Sequence, residues 1–133
     1  MIMDNEKLLE LAHKAAKNSY SPYSGFSVGA AVLCDDGSVY LGCNVENVSF
    51  SATNCAERTA MFSAVADGKR KFKKIAIAAH RKDGQVIFTP PCGVCRQVLC
   101  EFCSADFVVI MTDGKNIIEK TLGELMPLSF NEF

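Results

Sequence analysis

The placement of three cysteines is the feature that most constrains the fold of this chain of 133 residues. The stretch "TNCAERTAMF" sets Cys55 at the start of a predicted helix, and "PPCGVCRQ" sets Cys92 and Cys95 at the start of another. The positive end of a helix dipole favours the thiolate, which is the form of cysteine that binds metal ions. We therefore expect both helices to begin at one edge of a sheet.

Hydrophobic periodicity and turn residues indicate the elements around the first of these helices. Apolar residues at helical spacing predict a helix that follows a cap at Asp4 or Asn5. Two apolar runs flank Asp36-Gly37, a pair typical of a β-hairpin turn. The helix that starts at Cys55 is predicted to run to about Ala66.

The second half of the chain alternates strands and helices. "FKKIAIAAH" and "DFVVIMT" read as buried strands on either side of a helix over about 92–103, and Thr121 caps a short final helix. This order predicts an α/β fold in which a mixed sheet of about five strands has helices on both faces, in three layers. We expect residues 1–133 to form a single domain.

Composition limits the classes of partner. Fourteen basic residues against fifteen acidic ones give a formal net charge of −1, so the chain has no bulk attraction for nucleic acid or an anionic membrane. The sequence shows neither a signal peptide nor a long apolar run, which predicts a soluble cytoplasmic protein. Its seven cysteines cannot all pair, and clustered reduced cysteines favour metal or redox chemistry over disulfides.

The Cys-x-x-Cys pair of Cys92 and Cys95 is ambiguous by itself, because such pairs serve redox, structural and zinc sites. Cys100 and Cys103 form a second pair, but about 16 Å of helix separates residues 92 and 103, so one ion cannot reach both. We expect this second pair to be structural. Cys55 is then the best candidate for a third ligand, while His13 and His80, the only histidines, are expected to be surface or packed residues.

Three cysteine ligands leave the fourth position of a tetrahedral zinc open, which is typical of a catalytic site. Glu57 is poorly placed as a further ligand, but from the first helical turn it can reach a zinc-bound water and move its proton. Arg58 and Arg96 each follow a ligand closely enough to donate hydrogen bonds to sulfur. We expect the two arginines to withdraw charge from the thiolates.

The motifs resemble those of the zinc-dependent cytidine deaminases, in particular the small homotetrameric class. The likeness spans nearly the whole chain and includes "SPYSGFSVGAAV", "GCNVENVSF", "NCAERTA", "PPCGVCRQVLCEF" and "LGELMPLSF". It implies hydrolysis of cytidine and deoxycytidine to uridine and deoxyuridine with release of ammonia, as in pyrimidine salvage. One zinc per subunit would be held by Cys55, Cys92 and Cys95, and Glu57 would shuttle protons.

The resemblance also implies the residues that bind the nucleoside. Asn44 and Glu46 match residues that hold the ribose 3′-hydroxyl, and Phe26 matches an aromatic that lies against the pyrimidine. The backbone of Ala56 matches a contact to the base edge. Phe130 resembles an aromatic contributed by a neighbouring subunit, so the resemblance implies active sites shared within a homotetramer.

One position departs from the pattern, since Phe50 stands where relatives often have tyrosine, and any hydrogen bond from that hydroxyl is absent. Two other functions stay open at this point. The first is deamination of another amino-pyrimidine nucleoside. The second is thiol redox chemistry at the Cys-x-x-Cys pair, which would need neither Glu57 nor a third cysteine.

Overall fold

The computed structural model describes residues 3–133, which form a five-stranded sheet with helices packed around it. The strands are β1 (Ser27–Cys34), β2 (Val39–Cys43), β3 (Phe72–His80), β4 (Val108–Thr112) and β5 (Ile117–Thr121). The α-helices are α1 (Asn5–Ala16), α2 (Ala56–Ala66), α3 (Gly93–Phe102) and α4 (Leu122–Leu125), and a 3-10 turn covers Phe50–Ala52.

The sheet is mixed, with the strand order β2-β1-β3-β4-β5. β1 pairs antiparallel with both β2 and β3, β4 pairs antiparallel with β5, and β3 pairs parallel with β4. A parallel pair needs a long crossover connection, and α3 lies within it. The predicted mixed sheet of five strands is therefore confirmed.

Side chains alternate along β1 and divide the core into two layers. Ala30 and Val32 belong to the apolar cluster that includes Met61 of α2 and Leu99 of α3. Ala31 and Leu33 belong to the opposite cluster, in which the partners are residues of α1 such as Leu8. Helices thus cover both faces of the sheet, which confirms the predicted three-layer α/β architecture.

Two glycines let helices approach the sheet closely, one on each face. A Cβ added at Gly29 would lie 1.9 Å from the carbonyl oxygen of Ala12 in α1. A Cβ added at Gly42 would lie 2.3 Å from the amide nitrogen of Ala60 and 2.5 Å from the carbonyl oxygen of Ala56, both in α2. The absence of a side chain at Gly42 therefore determines where α2 lies on the sheet.

Local signals in the sequence fix the ends of several elements. Asp4 caps α1 by accepting a hydrogen bond from the Lys7 amide at 2.8 Å, and Thr121 and Glu124 form a reciprocal capping box at α4. Gly37 has a φ of 89°, as the hairpin turn requires. Within residues 3–133, no helix is both long and apolar enough to cross a membrane.

Candidate metal centre and active site

Three cysteine side chains meet where α2 and α3 begin. Cys55 is the N-cap residue of α2, Cys92 is the N-cap residue of α3, and Cys95 lies in the first turn of α3. Their Sγ atoms all lie within 4.8 Å of one another. The convergence joins two parts of the chain separated by 37 residues.

The spacing of the sulfurs fits a tetrahedral zinc ion. With zinc–sulfur bonds of about 2.3 Å, two tetrahedral ligands lie about 3.8 Å apart. Cys55 Sγ and Cys92 Sγ are separated by 3.8 Å. Within residues 3–133 no other group of three or more cysteine, histidine or acidic side chains is arranged to hold a metal, and Cys100 and Cys103 lie outside this one. Three thiolate donors leave one position of a tetrahedral ion open to a small ligand.

Charge around Cys55 favours its thiolate. A hydrogen bond with Cys95 and then the Arg58 guanidinium lower the pKa of Cys55 to about 5, although its burial acts in the opposite direction. Arg58 Nη2 donates to Cys55 Sγ at 3.2 Å. The pKa of Cys95 is raised because its thiol is hydrogen-bonded to Cys55 and because it is buried. The site therefore already concentrates negative charge on sulfur beside a fixed cation.

Glu57 is a buried carboxyl group beside this cluster, with only 5% of its surface exposed. Burial raises its pKa to about 7, and the negative charge on Cys55 contributes to the rise. A hydrogen bond with Cys95 acts in the opposite direction, so the carboxyl group lies against the sulfur cluster. A group with this pKa can both accept and donate a proton near neutral pH.

Arg96 differs from the prediction made for it. Its Nε donates to the carbonyl oxygen of Pro91 at 2.7 Å, and its Nη1 donates to that of Leu125 at 2.7 Å. These contacts are with backbone oxygens and not with a thiolate. The reason is geometric, because the side chain of Arg96, the fourth residue of α3, extends towards the end of α4. Arg96 thus connects the loop before Cys92 to the C-terminal part of the chain through these two hydrogen bonds.

Asn44 follows β2 and is 92% buried, since only 8% of its surface is exposed. Its Oδ1 accepts hydrogen bonds from the amide of Val28 at 2.9 Å and from the hydroxyl of Ser19. Its Nδ2 donates to the carbonyl oxygen of Phe26 at 2.8 Å. Asn44 therefore holds the backbone of the segment that carries Phe26.

Glu46 holds the preceding part of the same segment. Its Oε1 accepts hydrogen bonds from the amides of Tyr23 and Ser24, at 3.0 and 3.1 Å, and its Oε2 accepts one from the Ser24 hydroxyl. These bonds lower the pKa of Glu46, the Ser24 hydroxyl having the largest effect. Sequence reasoning missed Ser24 as a partner, although it lies within the quoted "SPYSGF".

The remaining candidates, and Phe50, lie in different environments, and only Ala56 is the direct chain neighbour of a cysteine of the sulfur cluster. Phe26 is half-buried and borders an open cleft of about 560 Å³, while Ala56 is fully buried in the first turn of α2. Phe130 is 65% exposed, and its carbonyl oxygen accepts a hydrogen bond from Gln97 Nε2 at 2.7 Å. Phe50 is 86% exposed. Gln97 was not predicted as a functional residue, because its partner lies 33 residues away.

Comparison with known proteins agrees with this geometry. Residues 2–111 match the model of the cytidine and deoxycytidylate deaminase zinc-binding region. The chain is 50% identical over 131 residues to the cytidine deaminase of Sporosarcina psychrophila, covering 98% of this chain and 93% of that protein. It is 46% identical over 129 residues to the cytidine deaminase of Halalkalibacterium halodurans, covering 96% and 95% of the two chains.

A solved structure has the same fold over nearly the whole chain. The crystal structure of cytidine deaminase from Burkholderia pseudomallei superposes with a TM-score of 0.89 at 41% identity and covers 96% of this chain and all of that one. The matched zinc-binding region includes all three cysteines of the sulfur cluster. The chain therefore belongs to the zinc-binding family of cytidine and deoxycytidylate deaminases.

Proposed function

We propose that this protein is a zinc-dependent cytidine deaminase that hydrolyses cytidine and deoxycytidine to uridine and deoxyuridine with release of ammonia, a reaction of pyrimidine salvage. The observation that carries the proposal is a buried carboxyl group, Glu57, beside three convergent cysteines. A thiol redox module would need neither the third cysteine nor the carboxyl group. Relatives named cytidine deaminase support the same substrate class.

In this proposal Cys55, Cys92 and Cys95 hold one zinc ion per subunit. Bound there, zinc supplies a Lewis acid that activates water at neutral pH. Thiolate ligands give zinc more negative charge than neutral imidazoles, which weakens that effect. The Arg58 hydrogen bond to Cys55 Sγ counteracts this weakening, since it draws electron density from one sulfur.

Glu57 moves the protons in this proposal. Its carboxylate accepts a proton from the water that attacks C4 of the pyrimidine, and it protonates N3, which makes C4 electrophilic. The carboxylate then takes the remaining proton from the new C4 hydroxyl group and passes it to the amino nitrogen, so that the C4–N bond breaks and ammonia leaves. The remaining C4–O group becomes the carbonyl of uridine. The pKa of about 7 suits a group that must take up and release protons in each cycle.

The nucleoside is held by residues from three parts of the chain. Asn44 and Glu46 bind the ribose 3′-hydroxyl, Phe26 lies against the pyrimidine, and the Ala56 backbone contacts the base edge. One N–H of Asn44 Nδ2 donates to the Phe26 carbonyl, and the amide has a second N–H donor. Phe130 completes the site of a neighbouring subunit, and its exposed ring supports that role.

The same proposal includes a single domain over residues 1–133, a homotetramer with shared sites, and a cytoplasmic location. Exposed apolar side chains support assembly, because subunit contacts would remove them from water: Val48, Phe50, Leu128, Phe130 and Phe133. A reducing compartment suits a site built from thiolates, and all seven cysteines are free. Light scattering on the purified protein would give the number of subunits.

The decisive experiment measures conversion of cytidine to uridine and ammonia by the purified protein, together with its zinc content. We expect Glu57→Gln to keep zinc and to lower kcat by at least about a hundredfold, because the proton carrier is removed. Glu10→Gln is the matched control, since Glu10 is an exposed glutamate of α1. Near-normal turnover by Glu57→Gln would remove the proton-shuttle assignment.

A second pair of variants tests the metal ligands. Cys92→Ala should lose both zinc and activity, since only two thiolates would remain. Cys100→Ala should keep both, because the buried Cys100 lies outside the sulfur cluster. Equal zinc content in the two variants would contradict the ligand assignment.

A further inference from the structure

The two histidines of the chain meet on the face of the sheet opposite α2. His13 belongs to the last turn of α1, and His80 ends β3. His13 Nδ1 and His80 Nε2 are 2.9 Å apart, and the ring centroids are 4.9 Å apart with planes tilted by 55°. Since 67 residues separate them in sequence, the fold and not local structure brings these rings together.

An open cavity of about 280 Å³ adjoins the two histidines. Both histidines line it together with Ala16, Lys17 and Ser27, so a small solute can reach the imidazoles. None of these residues belongs to the sulfur cluster. The pair is therefore a second concentration of metal-ligating side chains, separate from the candidate active site.

We propose that His13 and His80 form a bidentate site for a divalent transition metal ion of the Ni²⁺ or Cu²⁺ type. Two nitrogens 2.9 Å apart can hold one proton between them, and a metal ion can take that proton's place. With metal–nitrogen bonds of about 2.1 Å, the angle at the metal is roughly 90°. That is the angle between neighbouring ligands in square-planar and octahedral ions, whereas a tetrahedral zinc would need the nitrogens about 3.4 Å apart.

The charges around the cavity set the expected strength of binding. Lys17 is the charged residue that lines it besides the histidines, and its ammonium group opposes a cation. Among residues 3–133 no carboxylate lines the cavity, so the two imidazoles supply the protein ligands, and Ser27 or water can occupy other positions. Binding should therefore depend on both histidines and should not need Lys17.

The test titrates untagged, zinc-loaded protein with Ni²⁺ at pH 7.5 by calorimetry, with metal analysis before and after. Imidazole is in its neutral, metal-binding form at that pH. We expect one Ni²⁺ to bind per chain with the zinc retained. Absence of binding, or uptake of Ni²⁺ matched by release of zinc, would overturn the proposal.

Variants identify the ligands. His13→Gln and His80→Gln should each lose Ni²⁺ binding while keeping zinc, and Lys17→Gln, the matched control, should bind as tightly as the unmodified chain or more tightly. Retention of binding in either histidine variant would overturn the assignment. If Lys17→Gln lost Ni²⁺ binding to the same extent as the histidine variants, the assignment would also fail, since any disturbance of the cavity would then abolish binding.

A measurement on the unmodified protein guards against variants that fail to fold. The chain has two histidines, so its proton NMR spectrum contains two imidazole Hε1 signals. Substoichiometric Ni²⁺ should broaden both signals if the bound ion is octahedral and paramagnetic, and shift both if it is square-planar and diamagnetic. If either signal is unaffected when binding is detected, the ion lies elsewhere and the proposal fails.

Discussion

Replacing Gly42 with alanine should displace α2, the helix whose first turn positions Cys55 and Glu57 in the candidate active site. Gly42 lies in β2, and α2 packs directly over it. The new Cβ would lie 2.3 Å from the amide nitrogen of Ala60 and 2.5 Å from the carbonyl oxygen of Ala56. Both of these atoms are backbone, so no side-chain rotation relieves the contact. The helix or the strand must move.

The geometry gives the size of the effect. Real Cβ atoms essentially never approach other heavy atoms more closely than 3.0 Å, so the 2.3 Å contact must lengthen by several tenths of an ångström. Overpacking of this kind costs about 1–3 kcal/mol. For a chain of this length that corresponds to a fall in Tm of roughly 3–10 °C. The same movement changes the position of Cys55, the N-cap residue of α2, relative to Cys92, so zinc content and kcat should fall as well.

Gly29→Ala is the matched control, because its Cβ would meet the Ala12 carbonyl of α1 at 1.9 Å on the opposite face of the sheet. Thermal unfolding, zinc content and cytidine turnover would be measured for both variants. We expect both variants to have a lower Tm. For each degree by which Tm falls, Gly42→Ala should lose more zinc than Gly29→Ala. An unchanged Tm in Gly42→Ala, or equal zinc loss per degree in the two variants, would refute the reasoning.

Three further predictions concern charged residues. Arg58→Gln should release zinc at a lower chelator concentration than the unmodified protein, because Cys55 loses its cationic donor. Arg96→Lys should keep zinc but lower the free energy of unfolding in urea by about 1–3 kcal/mol, since the single ammonium nitrogen of lysine does not reproduce the two separate guanidinium donors, Nε and Nη1, that bind the two carbonyl oxygens. The hydrogen bond from Lys69 holds the pKa of Asp36 well below its usual range. The contribution of the ionised Asp36 to folding stability is therefore fully present above about pH 4 and is lost as the pH falls further. The stability difference between the unmodified chain and Asp36→Asn, measured in urea from pH 3 to 6, should therefore shrink at acid pH.

Local patterns were sufficient to predict most of the fold. Asp36-Gly37 predicts the hairpin, Thr121 predicts the start of α4, and apolar runs predict the buried strands. Each of these signals acts within a few residues. β5 was not identified individually. It is a short edge strand with mostly exposed side chains, so it lacks the alternation that marks a half-buried strand.

The sequence predicts those parts of the candidate site whose residues lie at the start of a helix. Cys55 and Cys92 are N-cap residues, so their positions followed from where α2 and α3 begin. Arg96 was assigned the wrong hydrogen-bond partners, because the carbonyl oxygen of Leu125 lies 29 residues away and only the packing of α4 brings it near. The contact between His13 and His80 was missed for the same reason.

The parallel pairing of β3 with β4 has a consequence for the order in which the chain can fold. Cys55 belongs to a local unit, the β1–β2 hairpin and α2, whereas Cys92 and Cys95 lie in the crossover that becomes fixed when β3 and β4 pair. Non-local pairings of this kind are slow to form, because a long loop must close first. The sulfur cluster is therefore assembled only once the crossover has docked. Protection of Cys55 from alkylation during refolding would time that docking step.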